Sequence, residues 1–193
     1  SNVMASFEIH GGNKLHGELT PQGAKNEALQ VICATLLTKE KVTLSNIPDI
    51  QDINQLIALL QGMGVKVEHP QEDTYTFETS NIDFQYMESE DYNKKARSLR
   101  GSIMLLGPLL ARFKKGVVAR PGGDKIGRRK LDVHFDGMMR MGATFVYDEE
   151  TALYRVETPQ LKGTYLLLEE ASVTGTANIV MAAVLAEGTT TIF

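Results

Sequence analysis

Lys41–Glu78, KVTLSNIPDIQDINQLIALLQGMGVKVEHPQEDTYTFE, is the stretch on which the fold turns. Lys41 to Asn46 alternates apolar and polar side chains as a strand does. Asp52 to Met63 brings apolar residues back at helical spacing, and Gly64 ends that helix. Val65 to Glu68 and Thr74 to Glu78 then read as two further strands. Upstream, the apolar positions from Ala28 to Leu37 predict a helix. Downstream the same order returns: a helix through Leu99 to Arg112, a strand at Gly116 to Ala119, a helix from Leu131 to Met141, and strands at Ala143 to Tyr147 and Leu153 to Glu157.

Matching landmarks tie the two copies together. Met63-Gly64-Val65 answers to Met141-Gly142-Ala143, Leu36-Leu37 to Leu109-Leu110, and Val42-Thr43-Leu44 to Val117-Val118-Ala119. A period of roughly 75 residues marks repeated supersecondary units. A third copy starts with a strand at Gly163 to Leu168 and a helix from Val173 to Ala186, and leaves through Leu185-Ala-Glu-Gly-Thr-Thr-Thr-Ile-Phe193. The order predicts an α/β fold of α+β repeats, with the third unit cut short. Its second helix would close the core, so the chain is expected to be a fragment of a longer protein. Ser1-Asn2 reads as a tag remnant and is set aside. Gly11-Gly12 and Thr20-Pro21 punctuate the first stretch, which predicts a hairpin over residues 3–20 partly separate from the repeats.

Bulk properties narrow the function. With 193 residues and 42% hydrophobic content the chain can bury a core, and disorder is not expected. Its apolar runs, such as Ser102 to Ala111 and Ile179 to Ala186, fall short of the ~20 residues a membrane helix needs, and no leader pattern opens the chain. A cytoplasmic protein without membrane contact is expected. The lone Cys33 sits in an apolar helical pattern as a structural thiol. His10, His16, His69 and His134 are scattered without metal-ligand spacing, so a metal enzyme is not expected. A formal net charge of −4 argues against general nucleic-acid binding. Positive charge is nevertheless segregated: twelve of the twenty Lys and Arg residues lie between Lys94 and Lys130, against one acid, Asp124.

That segregation points to an anionic small molecule. Gln22-Gly-Ala-Lys-Asn26 precedes a helix, so backbone N–H groups and Lys25 converge on one place. The alternative is an ordinary glycine turn with a solvated lysine. Arg97 and Arg100, three apart near the start of one long helix, share a face, and Lys25 and Arg100 occupy equivalent helix starts in the two copies. A solvated basic face with Lys94 and Lys95 is the competing account. Pro121-Gly-Gly-Asp-Lys-Ile-Gly-Arg-Arg-Lys-Leu-Asp-Val-His134 combines a glycine loop with Lys125, Arg128, Arg129 and Lys130 at a predicted helix start, a pattern suited to closing over an anion. Asp124 is either the counterion of those cations or a proton donor. Neighbouring cations lower its pKa and burial raises it. Ser172-Val173-Thr174-Gly-Thr176 offers hydroxyls at a helix cap. Asp132 and His134 do not face one direction and are not read as a dyad. Met138, Met139 and Met141 read as core filling.

The residues Gly23-Ala-Lys-Asn26, Arg100-Gly-Ser-Ile through Gly107-Pro-Leu-Leu-Ala-Arg-Phe113, the loop Pro121 to His134, and Ser172-Val173 with Ala186-Glu-Gly-Thr189 strongly resemble the UDP-N-acetylglucosamine 1-carboxyvinyltransferase family of enolpyruvyl transferases. The resemblance covers nearly the whole chain and would span somewhat under half of such an enzyme. It implies an inside-out α/β barrel domain of repeated βαβαββ units, helices inside and sheets outside. It implies that residues 22–193 form an incomplete first domain, and that residues 1–21 include a segment packing with a missing second domain. Its substrates would be phosphoenolpyruvate and UDP-N-acetylglucosamine, and no metal or organic cofactor would be needed. Lys25 would contact phosphoenolpyruvate, Asn26 and Arg100 would help hold sugar and donor, and Arg129, Lys130, Leu131, Asp132, Val133, Ser172 and Val173 would line the UDP-sugar site.

Two departures stand out. Asp124 occupies the loop position of an acid that is usually a cysteine in the family. A carboxylic acid can still protonate the donor's methylene carbon, but it is a poor soft nucleophile, which implies insensitivity to the epoxide fosfomycin. Glu170 stands where many relatives carry a lysine near the nucleotide. Because the base and several arginines belong to the second domain in the family, the fragment alone is expected to be inactive. The competing readings are a 3-phosphoshikimate 1-carboxyvinyltransferase-like enzyme, whose glycine-rich segment is not found before Arg100, and a noncatalytic phosphate- or nucleotide-binding module.

Overall fold

The computed structural model describes residues 7–10, 18–19, 25–119, 137–162, 165–166 and 189–192. In chain order the elements are β1 (Phe7–His10), β2 (Glu18–Leu19), α1 (Lys25–Ala34), β3 (Val42–Leu44), α2 (Gln51–Gly62), β4 (Lys66–Gln71), β5 (Thr74–Glu78), α3 (Glu90–Ser98), α4 (Leu106–Phe113), β6 (Lys115–Ala119), β7 (Thr144–Asp148), β8 (Leu153–Glu157), β9 (Tyr165–Leu166) and β10 (Thr189–Ile192). Short 3-10 turns continue α1 over Thr35–Leu37, precede α3 over Tyr86–Glu88, and precede α4 over Arg100–Leu105.

The repeat is visible in the sheets. Strands β3, β5 and β4 form an antiparallel ladder in that order, with β2 added parallel to β3. Strands β6, β8 and β7 form the same ladder, with Lys115 opposite Glu157 and Thr144 opposite Glu157 on the other side. The helix exits coincide bond for bond. Val65 N–H donates to Leu60 O at 3.0 Å, and Ala143 N–H to Met138 O at 3.0 Å. Asp83 N–H reaches Met63 O at 2.8 Å, and Lys162 N–H reaches Met141 O at 2.9 Å. Both exits turn on a left-handed glycine, Gly64 with φ +99° and Gly142 with φ +109°, a conformation that a side chain would strain.

Helix α4 lies in the interior, whereas α3 buries only Tyr92 and Ala96. Leu106 to Leu110 are all buried, including Gly107 and Pro108, so the first part of α4 is enclosed on every side. Pro108 lies in the first turn of α4, where proline is best tolerated in a helix. The 3-10 turn that carries Leu36 packs against α4 from the first unit, and Ile32, Cys33 and Leu36 are all fully buried. By contrast β4 is almost wholly exposed. The Arg112 side chain joins the two units: Nη1 donates to the carbonyls of Leu36 (3.1 Å) and Thr38 (3.0 Å), and Nη2 to Ser80 (3.4 Å). The Leu36 and Thr38 carbonyls lie at the end of the 3-10 turn that extends α1, where helical acceptors lack partners within the helix.

Three expectations are corrected. Residues 3–20 do not make a hairpin: β1 pairs antiparallel with β10, while β2 pairs with β3 in another sheet. The helix expected through Leu99 to Arg112 begins as a 3-10 turn and becomes α4 only at Leu106, and Arg97, expected near its start, lies on a separate helix. Leu99 adopts φ −106°, ψ 110°, which ends α3 and starts a separate 3-10 turn at Arg100. The break is pinned by the buried Ser102, whose hydroxyl donates to Ala96 O at 2.8 Å and whose N–H donates to Leu99 O at 3.1 Å. Met139 is 51% exposed, whereas Met138 and Met141 are buried, because its helical position turns it away from the core.

Candidate functional site

Lys25 is the first residue of α1, and Asp52 lies in the first turn of α2. Their side chains meet, Nζ to Oδ2 at 2.8 Å, with both groups partly open to solvent. The pair joins two helix starts of opposite electrostatic preference. Asp52 complements the positive end of α2, which has no side-chain cap at Ile50, whereas Lys25 sits against the like-signed end of α1. Its local dipole therefore does not favour Lys25, and Asp52 supplies the compensating charge.

The backbone places Asn26 as the second residue of α1 and Arg100 at the head of the 3-10 turn that leads into α4. α1 packs against both α2 and that turn, so the segments carrying Lys25, Asp52 and Arg100 adjoin one another. Arg97, expected on the same helix face as Arg100, belongs instead to α3 and lies across the break at Leu99. With Glu90, Asn93, Lys94 and Ser98 it lines a depression of about 590 Å³ on the outer face of α3. Ser89 caps that helix, its hydroxyl accepting from Tyr92 N–H at 3.1 Å, and Asn93 ties it to the second unit by donating to Thr151 O at 2.7 Å. Lys95 is drawn away from the depression by Asp91 at 3.0 Å, whose carboxylate accepts from Tyr86 at 2.5 Å and is held below its ordinary pKa by that bond and by Lys95. Asp124, Arg129, Lys130, Leu131, Asp132, Val133, Ser172 and Val173, with Glu170, lie outside the described residues.

Sequence reasoning missed Asp52 and the helix α3. An acid in the first turn of an uncapped helix looks like dipole compensation and nothing more, and only the packing of α1 on α2 turns it toward Lys25. Helix α3 carries few apolar residues, Tyr92 and Ala96 being its buried ones, so hydrophobic spacing scarcely marks it. Its signal was the capping pattern at Ser89 followed by Glu90 and Asp91.

The family model for EPSP synthase (3-phosphoshikimate 1-carboxyvinyltransferase) matches residues 9–193. The chain belongs to the EPSP synthase family. Within that family it is 60% identical over 98% of its length to the UDP-N-acetylglucosamine 1-carboxyvinyltransferases of Bacteroides fragilis and Bacteroides thetaiotaomicron, and 56% identical to that of Porphyromonas gingivalis. It spans 44% of the length of each of these relatives. Among solved structures, the enolpyruvyl transferase NikO from Streptomyces tendae matches with a TM-score of 0.65 at 19% identity, covering 91% of this chain and 40% of that one. An EPSP synthase from Acinetobacter baumannii matches with a TM-score of 0.62 at 21% identity, covering 95% of this chain and 41% of that one. These likenesses establish the EPSP synthase family fold for the repeated units. No described helix is long and apolar enough to cross a membrane.

Proposed function

We propose that the protein to which this chain belongs transfers the enolpyruvyl group of phosphoenolpyruvate to the 3-hydroxyl of UDP-N-acetylglucosamine, releasing phosphate, as a step toward peptidoglycan precursors. The observation that carries the proposal is the 60% identity, across 98% of the chain, to relatives named for that transfer. Residues 22–193 form part of the first domain, and the second domain completes the site, packing with the N-terminal segment 1–21, whose strands β1 and β2 also pair with β10 and β3 of the first domain.

In this mechanism the sugar hydroxyl gives its proton to the base of the second domain as its oxygen adds to C2 of the donor, while the Asp124 carboxylic acid gives its proton to C3, converting methylene to methyl. Return of a proton from that methyl to the Asp124 carboxylate, with departure of phosphate from C2, restores the double bond. Lys25, Arg100 and Arg129 neutralise the charge that builds on carboxylate and phosphate. Asn26 helps hold sugar and donor, and Lys130, Leu131, Asp132, Val133, Ser172 and Val173 line the nucleotide-sugar site. The adjoining positions of α1, α2 and the turn at Arg100 support the grouping of Lys25 with Arg100. The reaction is cytoplasmic and insensitive to fosfomycin, since the loop acid is a carboxylate and the chain's one thiol, Cys33, is fully buried.

The test is phosphate release by the full-length gene product, supplied with phosphoenolpyruvate and either UDP-N-acetylglucosamine or shikimate 3-phosphate. Release with the nucleotide sugar alone, lost in Asp124→Ala, is the expected result. Release only with shikimate 3-phosphate assigns the other substrate, and unchanged turnover in Asp124→Ala removes Asp124 from the mechanism. Time-dependent covalent labelling of Asp124 by fosfomycin would refute the insensitivity.

A further inference from the structure

We infer that Asp52 is a positioning residue for the donor site: it holds the Lys25 ammonium where phosphoenolpyruvate must meet it. The inference rests on the function proposed above. Its basis is the 2.8 Å contact between Lys25 Nζ and Asp52 Oδ2 across the starts of two helices. Stability does not account for this pair, because ion pairs between half-exposed side chains contribute little to folding. Local preference does not account for it either, since a lysine at the first residue of α1 opposes the helix dipole. A residue that breaks a local rule is expected where function requires it.

The geometry leaves the ammonium usable. Lys25 keeps 52% of its side-chain surface, and among the described residues its ion pair is with Asp52, so an ammonium with three N–H donors has donors besides the one turned to Asp52 for an incoming carboxylate or phosphate. Without the carboxylate, four side-chain torsions leave the charge to wander, and a wandering charge loses the advantage of preorganisation. Asp49, the other acid at the start of α2, is engaged elsewhere, accepting from Asn54 Nδ2 at 2.8 Å. Asp52 is therefore the group at this helix start that contacts Lys25.

The experiment uses the full-length protein and separates the two substrates. Asp52→Asn keeps the shape of the side chain and removes its charge. The expected result is a fall of about tenfold in kcat/KM for phosphoenolpyruvate, the scale of a modest misplacement, with KM for UDP-N-acetylglucosamine and the melting temperature unchanged. Asp52→Glu should recover part of the loss, and Glu68→Gln, which breaks the exposed contacts to Lys41 and Lys66, should change neither constant. An unchanged or higher kcat/KM for phosphoenolpyruvate in Asp52→Asn overturns the inference, the higher value meaning that Asp52 competes with the donor. Equal losses for both substrates together with a lower melting temperature also overturn it, by showing a structural role. If the unaltered protein shows no release dependent on UDP-N-acetylglucosamine, the proposed function falls and the inference with it. Activity in the unaltered protein, unchanged in Asp52→Asn, sinks the inference alone.

Discussion

Cys33 should behave as a thiol without chemistry until the protein opens. Burial pushes its pKa from an ordinary 9.0 up to about 12, because a thiolate in the apolar core would lose its hydration. At about pH 8 this leaves roughly a thousandfold less thiolate than in the unfolded chain. Full burial adds a steric barrier to any reagent. Below the ordinary value the sulfur is protonated in both states and contributes no pH dependence. Between 9.0 and about 12 the unfolded chain releases the proton while the folded chain keeps it, so stability falls as pH rises through that window. At about pH 10.5 the loss is about 2 kcal/mol. Iodoacetamide labelling followed by mass spectrometry should therefore be at least about a thousandfold slower in buffer than in denaturant. Urea titrations of the native sequence and of Cys33→Ala should diverge in slope against pH. The variant is less stable at neutral pH through its cavity, but it lacks the Cys33 share of the alkaline decline. Native labelling within tenfold of the unfolded rate, or parallel alkaline declines, would refute the account of this thiol.

Two further substitutions probe the packing that sets the repeats. Tyr92→Phe removes the buried hydroxyl that donates to Val117 O at 2.5 Å and should lower stability by about 1 kcal/mol in denaturant titration. Gly62→Ala places a methyl 2.6 Å from the Tyr86 ring, and displacing that ring breaks its bond to Asp91. A loss of about 1–3 kcal/mol is expected, read from the shift in the urea midpoint.

The first unit was legible because its signals agree. The alternation in Lys41 to Asn46, the apolar spacing of Asp52 to Met63 and the stop at Gly64 each point to the element found there, β3, α2 and the left-handed turn. The repeat was legible for the same reason, since Met-Gly followed by a strand marks the same helix exit in both copies. The second unit shows where pattern reading breaks down. Leu99 to Leu110 is apolar nearly throughout, and continuous apolarity reports burial without reporting the change from 3-10 turn to α4 or the extended Leu99. The pairing of β1 with β10 joins the two ends of the chain, and no local spacing could announce it. At the site, Lys25 and Arg100 could be singled out by charge and helix position, whereas Asp52 required knowledge of which helix lies beside which.

Arg112 fastens the first unit to the second by gripping the main-chain oxygens of Leu36, Thr38 and Ser80. Every residue has such an oxygen, so the joint does not depend on which side chains occupy the neighbouring unit. Duplicated units held this way are free to diverge over evolutionary time, one accumulating cations and another acids, while their mutual alignment is inherited unchanged. A clasp indifferent to side-chain identity is thus a means by which a repeated architecture can acquire an asymmetric surface.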